Sequence, residues 1–116
     1  GGRIDHALAN ILLLTMPQLA DVATVIYDGL SYLRVLRHAG EIRGEIGDTI
    51  SLIPLGGDAV GVVTQGLEYP LRDETLRFGL ARGVSNVLLE PTARISLRGG
   101  ILLVVHTPRQ GEGAEP

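Results

Sequence analysis

The residues best suited to chemistry open the chain. Gly1 and Gly2 are followed by Arg3, Asp5, His6 and Asn10. On a helix Arg3, His6 and Asn10 fall at i, i+3 and i+7 and share one side, with Asp5 beside them. A glycine pair and an arginine at a helix N-terminus make a site for an anion, because free amides and the helix dipole both favour negative charge. Asp5 repels a phosphate there unless a metal ion, Arg3 or a cationic substrate lies between. The same residues serve equally as an N-cap with a solvated polar face. A second group lies further on. Pro70 holds Tyr69 extended and donates no ladder bond, so "GLEYPL" belongs at an edge or rim. A ring held there can stack on a flat or cationic ring, or simply pack. In "RGVSN", Ser85 and Asn86 can hydrogen-bond a ligand, and they are also ordinary turn residues. The histidines at 6, 38 and 106 show no ligand spacing, so no metal site is expected from them, and chain order alone supports no Ser-His-Asp triad.

Composition narrows the chemistry further. The chain has 116 residues, 45% of them hydrophobic, enough for one domain with a core that needs no staples. It lacks cysteine, which excludes disulfides and thiolate metal sites. All ten basic residues are arginine, so a Walker-type phosphate loop, a Schiff-base lysine and a lysine general base are ruled out within it. A net charge of −3 argues against nucleic acid as a partner. The run "ILLLTM" is far short of the ~18 apolar residues of a spanning helix. A signal peptide would not normally carry Asp5 and His6 ahead of it. It reads as a buried helix of a cytoplasmic protein with no membrane contact.

These side chains need elements to hold them. Ile4, Leu8, Ile11 and Leu12 recur with the helical period, and Pro17 marks the end of the run. "VATVIYDG" is a β-branched stretch closed by an Asp-Gly turn, and "LSYLRVLRHAG" reads as the strand that follows. Turn signals then recur at "GEIGD", "PLGGD", "GLEYP", "RDE" and "LRGG". Between them lie "TISLIPL", "AVGVVTQ", "TLRFG", "ARISLR" and "ILLVVH", the last a continuous apolar run suited to a central strand. The expectation is one helix and eight to ten strands in a sandwich or barrel. "TPRQGEGAEP" lacks periodicity and is expected to fray. An isolated helix before an all-β body makes sense if a preceding α/β domain once completed it.

In combination these stretches become specific. "GGRIDHALANILLL", "GDTISLIPLGG", "GLEYPLRDETLRFG" and "RGVSN", in this order, closely resemble the thiamine pyrophosphokinase (thiamine diphosphokinase) family of bacterial type, from residue 1 to about 106. The resemblance implies transfer of a pyrophosphoryl group from ATP to thiamine with Mg²⁺, giving thiamine diphosphate and AMP in a homodimer whose sites lie between subunits. It implies a mainly β fold: a jelly-roll-like β-sandwich that binds thiamine over residues 29–107. Residues 1–28 would be a helix and strand left over from the catalytic α/β domain, and residues 108–116 a disordered tail. Arg3 and Asp5 match the "GRxD" positions where the nucleotide and thiamine sites meet, which makes them the catalytic candidates.

His6 stands where relatives carry His or Gln and ranks as a polar contact. Tyr69 falls where some relatives have a tryptophan that stacks on thiamine, and Ser85 and Asn86 match the "SN" pair of the thiamine pocket. The acidic motifs that hold Mg²⁺ and ATP in the family precede this stretch. The chain is therefore expected to be the later part of the enzyme, inactive alone and binding neither by its own motifs. The alternative is a non-enzymatic β-sandwich for ligand binding or oligomerisation.

Overall fold

The computed structural model describes residues 4–16, 24–80 and 82–110. Arg3, Pro17, residue 81 and residues 111–116 therefore lie outside the described residues. Among the described residues one helix, α1 (Ile4–Leu13), precedes nine strands: β1 (Val25–Tyr27), β2 (Tyr32–Leu36), β3 (Ala39–Arg43), β4 (Thr49–Pro54), β5 (Ala59–Gln65), β6 (Arg72–Leu76), β7 (Asn86–Val87), β8 (Thr92–Ser96) and β9 (Leu102–Thr107). They form two antiparallel sheets, ordered β1-β2-β9-β4-β7 and β3-β8-β5-β6. The mainly β class read from the short strand spacing holds, and "ILLVVH" is the middle strand of the larger sheet, as its unbroken apolar run requires. The boundary proposed at residue 28 passes just after β1, and β1 pairs with β2 in the larger sheet.

Alternation along the strands sets the core. In β4 the buried residues are Ile50, Leu52 and Pro54, and in β8 they are Ala93 and Ile95. Leu102 and Val104 of β9 are wholly buried and, with Ile50 and Leu52, meet Ile42, Val62, Ala93 and Ile95 from the other sheet. A pleat places every second side chain between the layers, so β4, β5, β8 and β9 each contribute two residues to one shared core, and β2, β3 and β6 one each.

Three details differ from the sequence reading. "LSYLRVLRHAG" is two strands. The chain bends at Arg37 and His38 and passes from β2 in one sheet to β3 in the other, without the glycine or proline that usually marks a turn. "RDE" is no turn but the start of β6. Val63 pairs with Arg72 and Val62 with Glu74, which leaves Asp73 as the extra residue of a bulge at φ 57°. The third concerns "ILLLTM". No residue of α1 is buried: Ile4 is 78% exposed, Leu8 54% and Leu12 63%. Only Leu14, just past the helix, is covered. An apolar stripe predicts that a helix has a buried face somewhere, but the stripe does not supply the surface that buries it. Of this stripe only Ile11 is even half-buried.

Candidate functional site

Three of the six candidate residues meet at one edge of the larger sheet. Asn86 is buried on β7, and its carboxamide grips the main chain of Tyr69. Oδ1 accepts the Tyr69 N–H at 3.0 Å, and Nδ2 donates to the Tyr69 carbonyl at 2.7 Å. Oδ1 also accepts the Val87 N–H at 3.0 Å, so both of its acceptor positions are used within the protein. The clamp leaves Tyr69 67% exposed. A backbone held this firmly with a ring this free is a presented aromatic, not a packed one.

Ser85 adjoins it with φ 63°, a left-handed conformation unusual outside glycine. Its N–H donates to Ser51 Oγ of β4 at 2.9 Å, which fixes the turn. Ser85 is exposed, so its hydroxyl is the more accessible of the "SN" pair. Further bonds tie the Tyr69 loop to β7: Glu68 N–H to the Val87 carbonyl and Leu89 N–H to the Gly66 carbonyl, each 2.9 Å. Gly66 has φ +88°, and a Cβ there would stand 2.7 Å from the Thr92 carbonyl oxygen, so both conformation and space demand glycine. An open groove of about 640 Å³ runs beside this loop, lined by Gly66, Leu67 and Pro70 to Arg72 among others. A smaller one, about 360 Å³, lies over β3, β5 and β8, lined by Glu41, Gln65 and Arg94 among others.

Asp5 and His6 lie elsewhere, both exposed in the first turn of α1. Asp5 Oδ1 accepts the His6 N–H at 3.0 Å. Past the helix, the Thr15 carbonyl accepts a 2.7 Å bond from Arg37 Nη2, at the bend after β2. Register shows that this is the opposite end of the sheet from Asn86. Leu36 pairs with Leu102 and Leu102 with Pro54, whereas Asn86 pairs with Ile50 at the other end of β4. The anchor of α1 and the Tyr69 rim therefore occupy opposite corners, three strands apart. The structure brings Tyr69, Ser85 and Asn86 together and leaves Asp5 and His6 outside their hydrogen-bond network.

One polar cluster escaped the sequence reading. Asp48, 3% exposed, and His106, 9% exposed, share a 2.7 Å hydrogen bond between Oδ2 and Nε2. The Asp48 carboxylate also accepts the Arg109 N–H at 2.8 Å and the Glu45 N–H at 3.0 Å. Burial pushes its carboxyl up, but these bonds together outweigh burial and hold it below the ordinary carboxylate value. Gly44 makes room for the pair, since a Cβ there would meet Asp48 Oδ2 at 2.5 Å and His106 Nε2 at 2.7 Å. The available signals were an aspartate opening one apolar strand and a histidine closing another, 58 residues apart. Among the described residues no group of three or more His, Cys, Asp or Glu could hold a metal ion.

Residues 39–102, from β3 to the start of β9, match the family described as thiamin pyrophosphokinase, vitamin B1 binding domain. The chain belongs to this family. Thiamine pyrophosphokinase 1 of Oryza sativa subsp. japonica is 30% identical over 83% of the chain, and thiamine pyrophosphokinase of Bacillus subtilis is 28% identical over 92%. The crystal structure of the Bacillus subtilis enzyme superposes with a TM-score of 0.83 at 26% identity, covering 94% of this chain and 52% of that one. The chain spans only 38% of the rice protein's length and 51% of the bacterial one's. The B1-binding-domain match encloses Tyr69, Ser85 and Asn86 and leaves α1 outside it.

Proposed function

We propose that this chain is the thiamine-binding part of a thiamine diphosphokinase, and that thiamine lies against the Tyr69 rim. The observation that carries the reading is the Asn86 clamp, which fixes the Tyr69 main chain and leaves its ring free at a sheet edge. Thiamine is a cation with two flat rings. An aromatic face attracts such a cation, and a neighbouring serine hydroxyl adds a directional hydrogen bond. Asn86 then acts by holding Tyr69, since its acceptor capacity is already used. His6 is proposed as a further polar contact.

In the complete enzyme the thiamine hydroxyl oxygen attacks the β-phosphorus of ATP. The bond from that phosphorus to the oxygen bridging the α- and β-phosphates breaks, AMP leaves with the electron pair, and the hydroxyl proton is released to solvent. Such transfers depend chiefly on positioning and charge stabilisation. Arg3 is proposed to neutralise the migrating charge and Asp5 to orient the hydroxyl or the metal, both on family resemblance. Among the described residues no group of three or more His, Cys, Asp or Glu could hold Mg²⁺ by itself. Mg²⁺ and ATP are assigned to the remainder of the enzyme on family resemblance. A homodimer in which the helix head of one subunit serves the Tyr69 rim of the other is proposed on family resemblance.

Calorimetric titration with thiamine tests the reading, at a protein concentration where the oligomeric state is known. Saturable binding that weakens about tenfold or more in Tyr69→Ala is expected, equivalent to about 1.4 kcal/mol. A Tyr69→Ala variant that binds as tightly as the wild type would remove the rim from the site.

A further inference from the structure

The buried Asp48–His106 pair has no part in the reading above, yet it sits where three strands end. Asp48 precedes β4 directly. Its Oδ2 meets His106 near the end of β9, its Oδ1 meets Arg109 just beyond, and its main chain reaches the end of β7. The Leu88 N–H donates to the Asp48 carbonyl, and the Gly47 N–H donates to the Leu88 carbonyl, both at 2.9 Å. The turn that aims these groups is closed by the same carboxylate. Glu45 N–H donates to Asp48 Oδ2, and Asp48 N–H donates to the Glu45 carbonyl at 2.9 Å.

Replacing a buried charged pair by apolar groups of like volume is often neutral for stability. What an apolar pair lacks is direction, and direction is what β7 needs. β7 has only two residues and pairs with β4 through Thr49↔Val87 and Ile50↔Asn86. It forms the sheet edge, and so short a strand is marginal without further anchoring. The bonds of Leu88 with Asp48 and Gly47 lengthen this attachment by one step. His106 lies in the same cross-strand row as the clamp, since His106 pairs with Ile50 and Ile50 with Asn86.

We propose that Asp48 and His106 are positioning residues: by fixing the turn before β4 they hold β7, and through β7 they hold the Asn86 clamp that presents Tyr69. The consequence for ligand affinity rests on the Tyr69 rim being the thiamine contact. The mechanical coupling does not.

The test is amide hydrogen exchange at Tyr69, whose N–H is protected by Asn86 Oδ1, with thiamine affinity measured in parallel. Wild type is compared with Asp48→Asn, His106→Leu, His106→Gln and a control, Ile95→Val, in the core of the smaller sheet. In Asp48→Asn and His106→Leu the Tyr69 amide is expected to exchange at least tenfold faster, while amides of β5 and β8 change no more than in the control. His106→Gln keeps a donor at this position and is expected to recover most of the protection. Thiamine affinity should fall about tenfold in the two disrupting variants and hold in the control.

Tyr69 exchange that rises no more than that of β5 and β8, or a His106→Gln as fast as His106→Leu, would overturn the proposal. Wild-type protein that binds no thiamine would sink the functional reading alone, because the exchange comparison decides the coupling by itself. If Asp48→Asn does not fold, the two His106 variants carry the same comparison.

Discussion

Asn86 devotes its carboxamide to the main chain of a residue 17 positions away, so its removal strands two backbone groups of Tyr69. Asn86→Ala should cost about 1–3 kcal/mol in urea unfolding, the usual cost of unpaired buried polar groups. A loss under a few tenths would mean that water replaces the clamp freely. Asp48 makes a second prediction. Its folded pKa is lowered, as are those of Asp28, which accepts the Ser31 and Leu30 N–H groups, and Glu74, which is bonded to Arg82. A lowered folded value means stabilisation that is complete above the ordinary carboxylate range and lost as pH falls through the folded value. The melting temperature should therefore drop as pH is taken from about 5 to about 3, and drop less steeply in Asp48→Asn. An unchanged slope in that variant would assign the acid sensitivity to other carboxylates.

Among the elements, the loop before β7 is held by close approach as well as by hydrogen bonds. The Leu52 N–H donates to the Gly83 carbonyl at 2.9 Å, and a Cβ on Gly83 would stand 2.5 Å from the Leu52 carbonyl oxygen. Gly83→Ala must push this loop off β4, which should destabilise the fold by about 1–3 kcal/mol and disturb Ser85 two residues on. Chemical shifts at Ser85 and Asn86 report the displacement; unshifted signals would show that β4 yields instead. The helix makes the opposite case. Leu8 on α1 is largely exposed, so Leu8→Glu should change the stability of this chain by no more than about 0.5 kcal/mol. A larger loss would reveal a surface that covers the helix.

For the whole molecule, the two sheets share one core, while the polar groups with chemical potential stand at its corners. Among the described residues no group of three or more His, Cys, Asp or Glu could hold a metal ion, and the chain has no lysine for a Walker-type phosphate loop. Incubated with ATP, Mg²⁺ and thiamine, the chain alone should release no AMP above the uncatalysed background. AMP and thiamine diphosphate formed in equal amounts would show that catalysis needs nothing beyond these 116 residues.

The sequence by itself determined the class of fold and most of its strands, because alternation and turn residues act over a few positions and need no partner to be recognised. β4, β5, β8 and β9 were legible in this way, as was the rim position of Tyr69, which Pro70 dictates locally. The bend at Arg37–His38 and the bulge at Asp73 were not, since neither carries the usual residue and both arise from how the sheets pair. The buried reading of the α1 stripe failed for the same reason: periodicity records that a face is apolar, not what lies against it. The Asn86–Tyr69 clamp and the Asp48–His106 pair join residues 17 and 58 positions apart. The register of β4 with β9 decides that Asp48 meets His106, and the pairing of Leu67 with Leu88 decides that Tyr69 meets Asn86; register is a property of the folded sheet rather than of any one strand.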